Sequence, residues 1–302
     1  MFAVRLRWLI LLLAAGVFAI GVSWGGGVFN DLISGGFDDP ASQSSQAREQ
    51  ITAQVGRQDA DIIALYPSAE LAQEAAARLS GRAEVSTVQP GPASSDGHST
   101  YLAIQLRDGE EDTKLADLEA IKPLLQAEVG GLTPFLDDAN SQISADIVRA
   151  ELISLPILLI LLIFIFRGLV AALMPLLVGL LAVLGAFISV RLLAQVTDVS
   201  VFAINIITML GLGMAIDYSL FIVSRFREEL AAGRSTPEAV RATLSTAGRT
   251  VLVSGLTVAL ALASLLVFPM AFLKSMAWGG MSAVLVAMVA ALTVLPAALA
   301  VL

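Results

Sequence analysis

The fold is decided by Gly211-Leu212-Gly213-Met214-Ala215-Ile216-Asp217-Tyr218-Ser219-Leu220-Phe221, which places an acid inside a mostly apolar segment running from Val199 to Glu229. About 20 mostly apolar residues cross the hydrocarbon core of a bilayer as one helix. Asp217 precedes Arg225 by roughly 12 Å of helix, and a basic residue of this kind marks the membrane interface. Asp217 is therefore predicted near the middle of the membrane, where a charge costs at least about 2.5–3.5 kcal/mol.

On a helical wheel, Asp217 shares a face with Gly213 and Phe221, and Tyr218 shares another face with Gly211. Small or polar residues therefore occur on every side of this helix. We predict that the helix is central in a bundle, and that Gly211, Gly213 and Phe221 pack against neighbours around the acid.

Two roles are open for Asp217. It is either a structural carboxylate, neutral and hydrogen-bonded to a neighbour, or a proton carrier that alternates between its charged and neutral forms. Burial raises the pKa of a carboxyl group and a hydrogen-bond donor lowers it, so an acid beside Tyr218 is a candidate proton relay. Ser254 and Thr257 lie on a stripe of small and hydroxyl-bearing residues in a later span, for which a share in the relay and helix packing alone are both open.

Composition is typical of integral membrane proteins, because 57% of the 302 residues are hydrophobic, against about 45–50% in soluble domains. There is no cysteine, which excludes disulfides, thiolate catalysis and cysteine-based metal sites. The single histidine, His98, is expected to be an exposed loop residue, because a metal site needs further ligands nearby. The sequence contains neither a catalytic triad nor a phosphate-binding glycine loop, so it predicts no enzyme, no metal and no cofactor.

Charge is unevenly distributed along the chain. Residues 29–151 contain 21 acidic and 8 basic side chains, whereas the rest of the chain contains 5 acidic and 10 basic ones. An acidic region attached to a membrane part with basic flanks argues against a nucleic-acid partner.

The N-terminal apolar run from Trp8 to Phe29 follows Arg5 and Arg7, a pattern that a cleaved signal peptide shares. The length of the run favours an uncleaved first transmembrane helix within residues 1–29.

Residues 30–146 alternate between strand and helix patterns. These patterns predict a helix from Ser68 to Leu79, a second helix around Leu118, and strands at Asp59–Tyr66, Glu84–Val88, Thr100–Leu106 and Leu132–Leu136. Pro134 confines the last strand to a sheet edge or a bulge. The order β-α-β-β-α-β predicts an α+β module of ferredoxin-like type.

Residues 147–302 contain five further apolar spans, at 152–166, 169–190, 199–229, 250–268 and 278–302. A loop at 225–249, with a surface helix beginning at Thr236, joins the fourth and fifth spans. The segments on the N-terminal side contain eight arginines, whereas the short loops on the other side contain only Arg191 and Lys274. The positive-inside rule therefore predicts that both termini and the 225–249 loop are cytoplasmic and that residues 30–146 are extracytoplasmic.

The stretch from Gly211 to Leu230 resembles the fourth-helix signature of the MMPL family, which comprises lipid exporters of the resistance-nodulation-division (RND) superfamily. Similar agreement is found at Gly35–Pro40, Phe202–Asn205, Thr246–Thr250 and Leu295–Ala297. The resemblance implies an RND half-transporter, an α-helical membrane bundle of six transmembrane helices with an inserted α+β ferredoxin-like extracytoplasmic porter domain. Family members usually have twelve membrane helices in two similar halves, and they pair this Asp-Tyr with an equivalent pair in the second half.

The sequence thus predicts export or flipping of lipids or other hydrophobic solutes across the bacterial plasma membrane, driven by the proton-motive force through Asp217 and Tyr218. The expected partners are membrane lipid, a hydrophobic substrate, and either a second transporter half or another copy of the chain. The alternative is a non-transporting half-protein, a scaffold, lipid sensor or secretion accessory that works through a partner.

Overall fold

A computed structural model describes residues 2–37, 39–95, 99–109 and 111–301. The helices of these residues are α1 (Phe2–Arg5), α2 (Arg7–Ser23), α3 (Gln43–Val55), α4 (Ala69–Leu79), α5 (Glu111–Leu125), α6 (Leu132–Phe166), α7 (Leu169–Ala194), α8 (Phe202–Ala231), α9 (Thr236–Ser245), α10 (Ala247–Ala263) and α11 (Ala271–Leu299). Short 3-10 helices follow α2 and α10, at Gly25–Asn30 and Ser264–Val267. The strands are β1 (Ile62–Tyr66), β2 (Val85–Pro90), β3 (Thr100–Leu106) and β4 (Glu128–Gly130).

The chain divides into two compact units, a membrane unit (Met1–Asp39 with Glu151–Leu302) and a sheet unit (Pro40–Ala150). Within the described ranges, 6 helical segments are long and apolar enough to cross a membrane: Arg7–Phe29, Leu132–Phe166, Ala171–Ala194, Phe202–Ala231, Thr236–Val267 and Ala271–Leu299. The predicted number of membrane spans is therefore confirmed by length and composition.

The sheet unit contains a four-stranded sheet in the order β2-β3-β1-β4, in which every neighbouring pair is antiparallel. On β1, Ile62, Ala64 and Tyr66 are buried, whereas Leu65 is 46% exposed, as expected for a strand whose side chains alternate between two faces. The buried face packs with α4 and α5 in one apolar core. The Tyr66 hydroxyl donates to the Leu125 carbonyl at 2.8 Å, and burial raises the pKa of Tyr66.

The prediction of the last strand is wrong. Residues 132–136 form the beginning of α6, and the fourth strand is the preceding Glu128–Gly130, which pairs with β1. Gly131 has φ of 112°, a conformation that suits glycine and that lets the chain turn from strand into helix. Pro134 lies in the first turn of α6, where backbone N–H groups have no hydrogen-bond acceptor within the helix, so the missing N–H of proline costs no helical hydrogen bond. The proline that suggested a sheet edge therefore fits a helix start.

The bounds of the membrane helices differ from those predicted. α8 continues to Ala231 and α11 begins already at Ala271, so the region 225–249 contains the end of α8, the whole of α9 and the start of α10. α9 begins at the predicted Thr236 and is capped by Ser235, because Ser235 and Glu238 form a reciprocal capping box.

A strap of residues 33–37 follows the first span and packs on the beginnings of α8 and α11. The Ile33 N–H donates to the Val199 carbonyl at 2.9 Å, and the Phe272 N–H of α11 donates to the Gly36 carbonyl at 2.9 Å. The Phe37 ring packs against Phe272, with ring centroids 5.0 Å apart.

Gly36 is required in the strap for two reasons. Its φ of 94° is rarely adopted by residues with a side chain, and a Cβ there would lie 3.1 Å from the Ala271 Cβ. The Gly35–Pro40 motif thus includes a position where the chain must approach α11 closely. Its Asp38 lies outside the described residues.

Candidate functional site

α8, which carries Asp217, packs against α7 and α11. A Cβ on Gly211 would lie 3.2 Å from the Ala283 Cβ of α11. Further along the same interface, a Cβ on Gly279 of α11 would lie 2.9 Å from the Ala203 carbonyl oxygen of α8. Helices in membranes approach this closely where the facing residues are small. The two glycines therefore define a tight α8–α11 contact.

The opposite side of α8 is an open face, defined here as Met209, Gly213, Asp217 and Phe221. Met209 is 74% exposed, Phe221 is 57% exposed, and the Asp217 side chain is also exposed. A Cβ on Gly213 would meet nothing within 4 Å in the described chain. The expectation that neighbours pack against Gly213 and Phe221 is therefore not met within the described residues. The helical wheel correctly places both on the Asp217 face, but it does not show which face of α8 the other helices cover.

Tyr218 is buried at 3% exposure and belongs to the main apolar core of the membrane unit. Its hydroxyl has no hydrogen-bond partner of ordinary geometry in the part of the chain that the structure describes, although Ser254 of α10 lies near enough to interact with it. A buried hydroxyl without a partner costs about 1–3 kcal/mol. Such a group is typical of a site that is completed by water, a proton or a further chain.

The two hydroxyl residues predicted on α10 differ in their surroundings. Ser254 is half-buried beside Tyr218. Thr257 is exposed and donates its hydroxyl to the Val253 carbonyl at 2.8 Å. The structure therefore brings Tyr218 and Ser254 together, with Asp217 adjacent on the open face, whereas the Thr257 hydroxyl is bonded within its own helix.

Two grooves with mostly apolar walls lie at the start of α10, and the second of them also includes the end of α8. The first, of about 520 Å³, is lined by Ser245, Thr246, Arg249, Thr250, Val253 and Ser254. The second, of about 670 Å³, is lined by Leu220, Phe221, Ser224, Arg225, Glu228, Thr246, Ala247 and Thr250. Because Thr246 and Thr250 line both grooves, the two adjoin each other. Together they extend from Ser254, beside Tyr218, to the charged end of α8.

The charged end of α8 is held by an ionic network that the sequence reasoning missed. Glu229 is buried and pairs with Arg225 at 2.6 Å and with Arg234. Arg225 also pairs with Glu228 at 2.9 Å. The spacing of three and four residues between arginine and glutamate is the signal that predicts such pairs on a helix.

Arg227 has a separate function at the same end of α8. Its guanidinium donates to the Phe166 carbonyl at 2.6 Å. This bond satisfies one of the carbonyl groups that the C-terminus of α6 leaves without a helical partner.

His98 lies outside the described residues. Among the residues that are described, no group of three or more histidine, aspartate and glutamate side chains is arranged to hold a metal ion. The distinctive chemistry of the membrane unit is therefore that of Asp217, Tyr218 and Ser254.

The sequence model of the MMPL family matches residues 36–302 of this chain. The chain is 40% identical over 218 residues to the trehalose monomycolate exporter MmpL3 of Mycobacterium tuberculosis, an alignment that covers 70% of this chain and 23% of that protein. It is 43% identical over 155 residues to the mycolic acid-containing lipids exporter MmpL11 of Mycolicibacterium smegmatis, covering 51% of this chain and 16% of that protein.

A longer alignment is found with a putative membrane protein of Streptomyces coelicolor. The identity is 38% over 316 aligned positions, which cover 97% of this chain and 45% of that protein. The chain therefore spans less than half of the length of each of these three relatives.

Proposed function

This chain belongs to the MMPL family, and from that membership we propose that it forms one half of a proton-driven exporter of lipids or other hydrophobic solutes. It is a multi-pass membrane protein with six apolar spans among its described residues. Two relatives that carry the names of lipid exporters support lipid as the substrate class. The observation that carries the proton-coupled part of the proposal is the position of Asp217 on an open face of an apolar helix.

Asp217 and Tyr218 have complementary surroundings that suit a relay. The carboxylate has no hydrogen-bond or ion-pair partner among the described residues and is exposed, whereas the tyrosine hydroxyl is buried and unpaired. An intramembrane acid without a fixed partner is free to alternate between its two protonation states as its surroundings change. Ser254 supplies a second hydroxyl beside Tyr218.

The two grooves provide a route for water toward this pair. Their walls are mostly apolar but include hydroxyl and charged side chains, and the two grooves adjoin one another at Thr246 and Thr250. Water needs two to four polar partners to occupy a site in a protein, and the lining residues supply them. A proton released near Ser254 then has a hydrated path to the end of α8.

Magnitudes restrict the path of the substrate. One proton falling through about 150 mV yields roughly 3.5 kcal/mol. Moving a chain of about 16 carbons into water costs on the order of 12 kcal/mol. A proton or two is therefore insufficient to expose the chain to water, so the lipid has to follow an apolar protein surface.

The sheet unit is proposed to be a ferredoxin-like porter domain outside the membrane. The strand order β2-β3-β1-β4 with antiparallel neighbours supports this fold, as does the interleaving of α4 and α5 with the strands. Basic side chains concentrate in the segments on the side of the N-terminus, which supports a cytoplasmic location for both termini in the plasma membrane.

The orientation is tested by labelling single cysteines in intact cells with a membrane-impermeant thiol reagent. A cysteine at exposed Ser95 of the sheet unit should react, and one at exposed Ala232 after α8 should react only after permeabilisation. Ala232 is preferable to Ser235, because Ser235 caps α9. The reverse pattern would exclude the proposed orientation.

The proton-carrier role is tested by Asp217→Asn in the complete transporter that contains this half. Asparagine keeps the shape of the neutral acid but does not release a proton, so lipid export should be abolished while membrane abundance is unchanged. Tyr218→Phe should reduce export less, because the titrating group remains. Asp198→Asn, at an exposed acid between α7 and α8, is the matched control and should export normally.

Normal export by Asp217→Asn at normal abundance would refute the relay. A structural carboxylate in a scaffold or sensor would then be the better account of this chain.

A further inference from the structure

An apolar cleft lies between α2, α7 and α11, away from the open face that carries Asp217. Its volume is about 300 Å³, and its walls include Ile10, Ala14 and Val17 from α2, Leu181 from α7, and Ala290 and Val294 from α11. The one hydroxyl-bearing residue of the lining, Thr293, donates to the Val289 carbonyl at 2.6 Å. The cleft therefore offers almost no polar group to a ligand.

A cleft of this kind selects hydrocarbon rather than water. Water does not occupy apolar cavities stably, because it finds no hydrogen-bond partners there, and an apolar cavity of about 150 Å³ takes one benzene-sized molecule. The volume here is roughly twice as large, which suits part of an acyl chain. Leu13 and Val17, on the α2 wall, are also exposed at its mouth, so a chain has access from the surrounding bilayer.

One end of the cleft leads to basic residues. The cleft follows α2 from Val17 to Ile10, a distance of about 10 Å, and Arg7 lies nearly one further turn away. α11 runs alongside toward the same end, because Ile10 packs with Ala297 and the Arg7 guanidinium donates to the Ala300 carbonyl at 2.9 Å.

The arginines at this end retain free donors. Arg5 is exposed and has no hydrogen-bond or ion-pair partner among the described residues. Arg7 donates one bond to Ala300, and a guanidinium has five N–H donors in all. Free guanidinium groups at a membrane interface are suited to a phosphate group.

We propose that this cleft binds one anionic glycerophospholipid from the leaflet on the side of the N-terminus. One acyl chain occupies the cleft between α2, α7 and α11, and the phosphate contacts Arg5 and the free donors of Arg7. The site differs from ordinary boundary lipid in two ways, since its wall is concave and its end is positively charged. The proposal does not depend on proton-coupled transport, because the cleft contains none of the relay residues.

The test uses the complete protein that contains this chain, purified in mild detergent and titrated with phosphatidylglycerol or phosphatidylcholine in native mass spectrometry. The wild type should retain one phosphatidylglycerol in preference to phosphatidylcholine. Arg5→Gln should lower that preference about fivefold, as expected for one arginine near an anionic headgroup. Arg241→Gln removes an exposed charge from α9 instead, and should leave the preference unchanged.

Ala14→Phe fills the cleft and should abolish retention of the lipid. Ala15→Phe adds the same ring at the next residue, which is exposed and does not line the cleft, and should retain it. Equal retention of the lipid by these two variants, or equal binding of the two lipids by the wild type, would show that the cleft holds only ordinary boundary lipid. Either result would overturn the proposal.

A second measurement needs no variant. Phosphatidylglycerol with a photoactivatable group in its acyl chain should crosslink to peptides of α2 and α11 that line the cleft. Crosslinks confined to other helices would also overturn the proposal. This result does not depend on whether Ala14→Phe folds.

Discussion

Gly211 and Gly213 lie two residues apart on α8 and have different surroundings. A Cβ at Gly211 would lie 3.2 Å from the Ala283 Cβ, whereas a Cβ at Gly213 would meet nothing within 4 Å in the described chain. The sequence predicted both as packing positions, because both are small residues near an intramembrane acid. Small residues indicate that a close approach is possible, but only the positions of α7 and α11 decide on which side of α8 it occurs.

Gly211→Leu should therefore destabilise the membrane unit. The added side chain has to displace α11 at Ala283, and overpacking of this kind costs about 1–3 kcal/mol. The measurement is the thermal melting temperature of the complete protein in detergent, together with its abundance in membranes.

Gly16→Leu is the matched control for Gly211→Leu. Gly16 lies in α2, where an added Cβ would meet nothing within 4 Å in the described chain, so leucine should be tolerated there and slightly favoured by its helix propensity. Similar melting temperatures for the two variants would contradict the tight α8–α11 contact.

The relay residues show how far sequence reasoning extends at this scale. An acid and a tyrosine within an apolar run are recognisable from composition and spacing alone, and the depth of Asp217 follows from the distance to Arg225. The proximity of Ser254 to Tyr218 depends on how α10 packs beside α8. That packing has no periodic signature in the sequence, so the sequence does not distinguish Ser254 from Thr257.

Among the elements, β1 and β3 were predictable because more and less buried residues alternate along each of them, whereas β2 contains no buried residue and shows no such alternation. The short β4 (Glu128–Gly130) has too few residues to show such a pattern. The following residues, Leu132–Leu136, were predicted as a weaker strand that Pro134 confines to an edge or bulge, yet the first turn of a helix tolerates proline. The missing information was where α6 begins, which Gly131 decides through its positive φ.

The strap of residues 33–37 supports a prediction about the beginnings of α8 and α11. Gly36→Ala should destabilise the membrane unit, because alanine at positive φ costs about 1–2 kcal/mol and its Cβ would also press on Ala271. Thermal melting of the complete protein measures the effect.

Gly233→Ala separates the backbone cost of alanine at positive φ from the cost of the contact with Ala271. Gly233 has φ of 85° and nothing in the described chain within 4 Å of an added Cβ, so this variant should show only the backbone cost. If Gly36→Ala melts no lower than Gly233→Ala, the close contact between the strap and α11 contributes nothing to stability.

For the whole molecule, the open face of α8 bears on what surrounds this chain in the assembled protein. The face contains a carboxylate with no partner among the described residues, flanked by Met209 and Phe221, which are mostly exposed. A lipid environment is unfavourable for such an acid. We therefore expect a protein surface, from a second transporter half or another copy, to cover the face in the assembled protein.

Gly213→Leu tests this expectation in the complete transporter. The substitution adds bulk at the centre of the open face without a clash inside the described part of this half, so the half itself should fold. If a second protein surface approaches Asp217 closely, the leucine should separate the two surfaces and reduce lipid export at unchanged abundance. Gly16→Leu, also without described neighbours within 4 Å in this half, should export normally. Normal export by Gly213→Leu would show that no close contact forms there, and the surroundings of Asp217 would then have to be lipid or water.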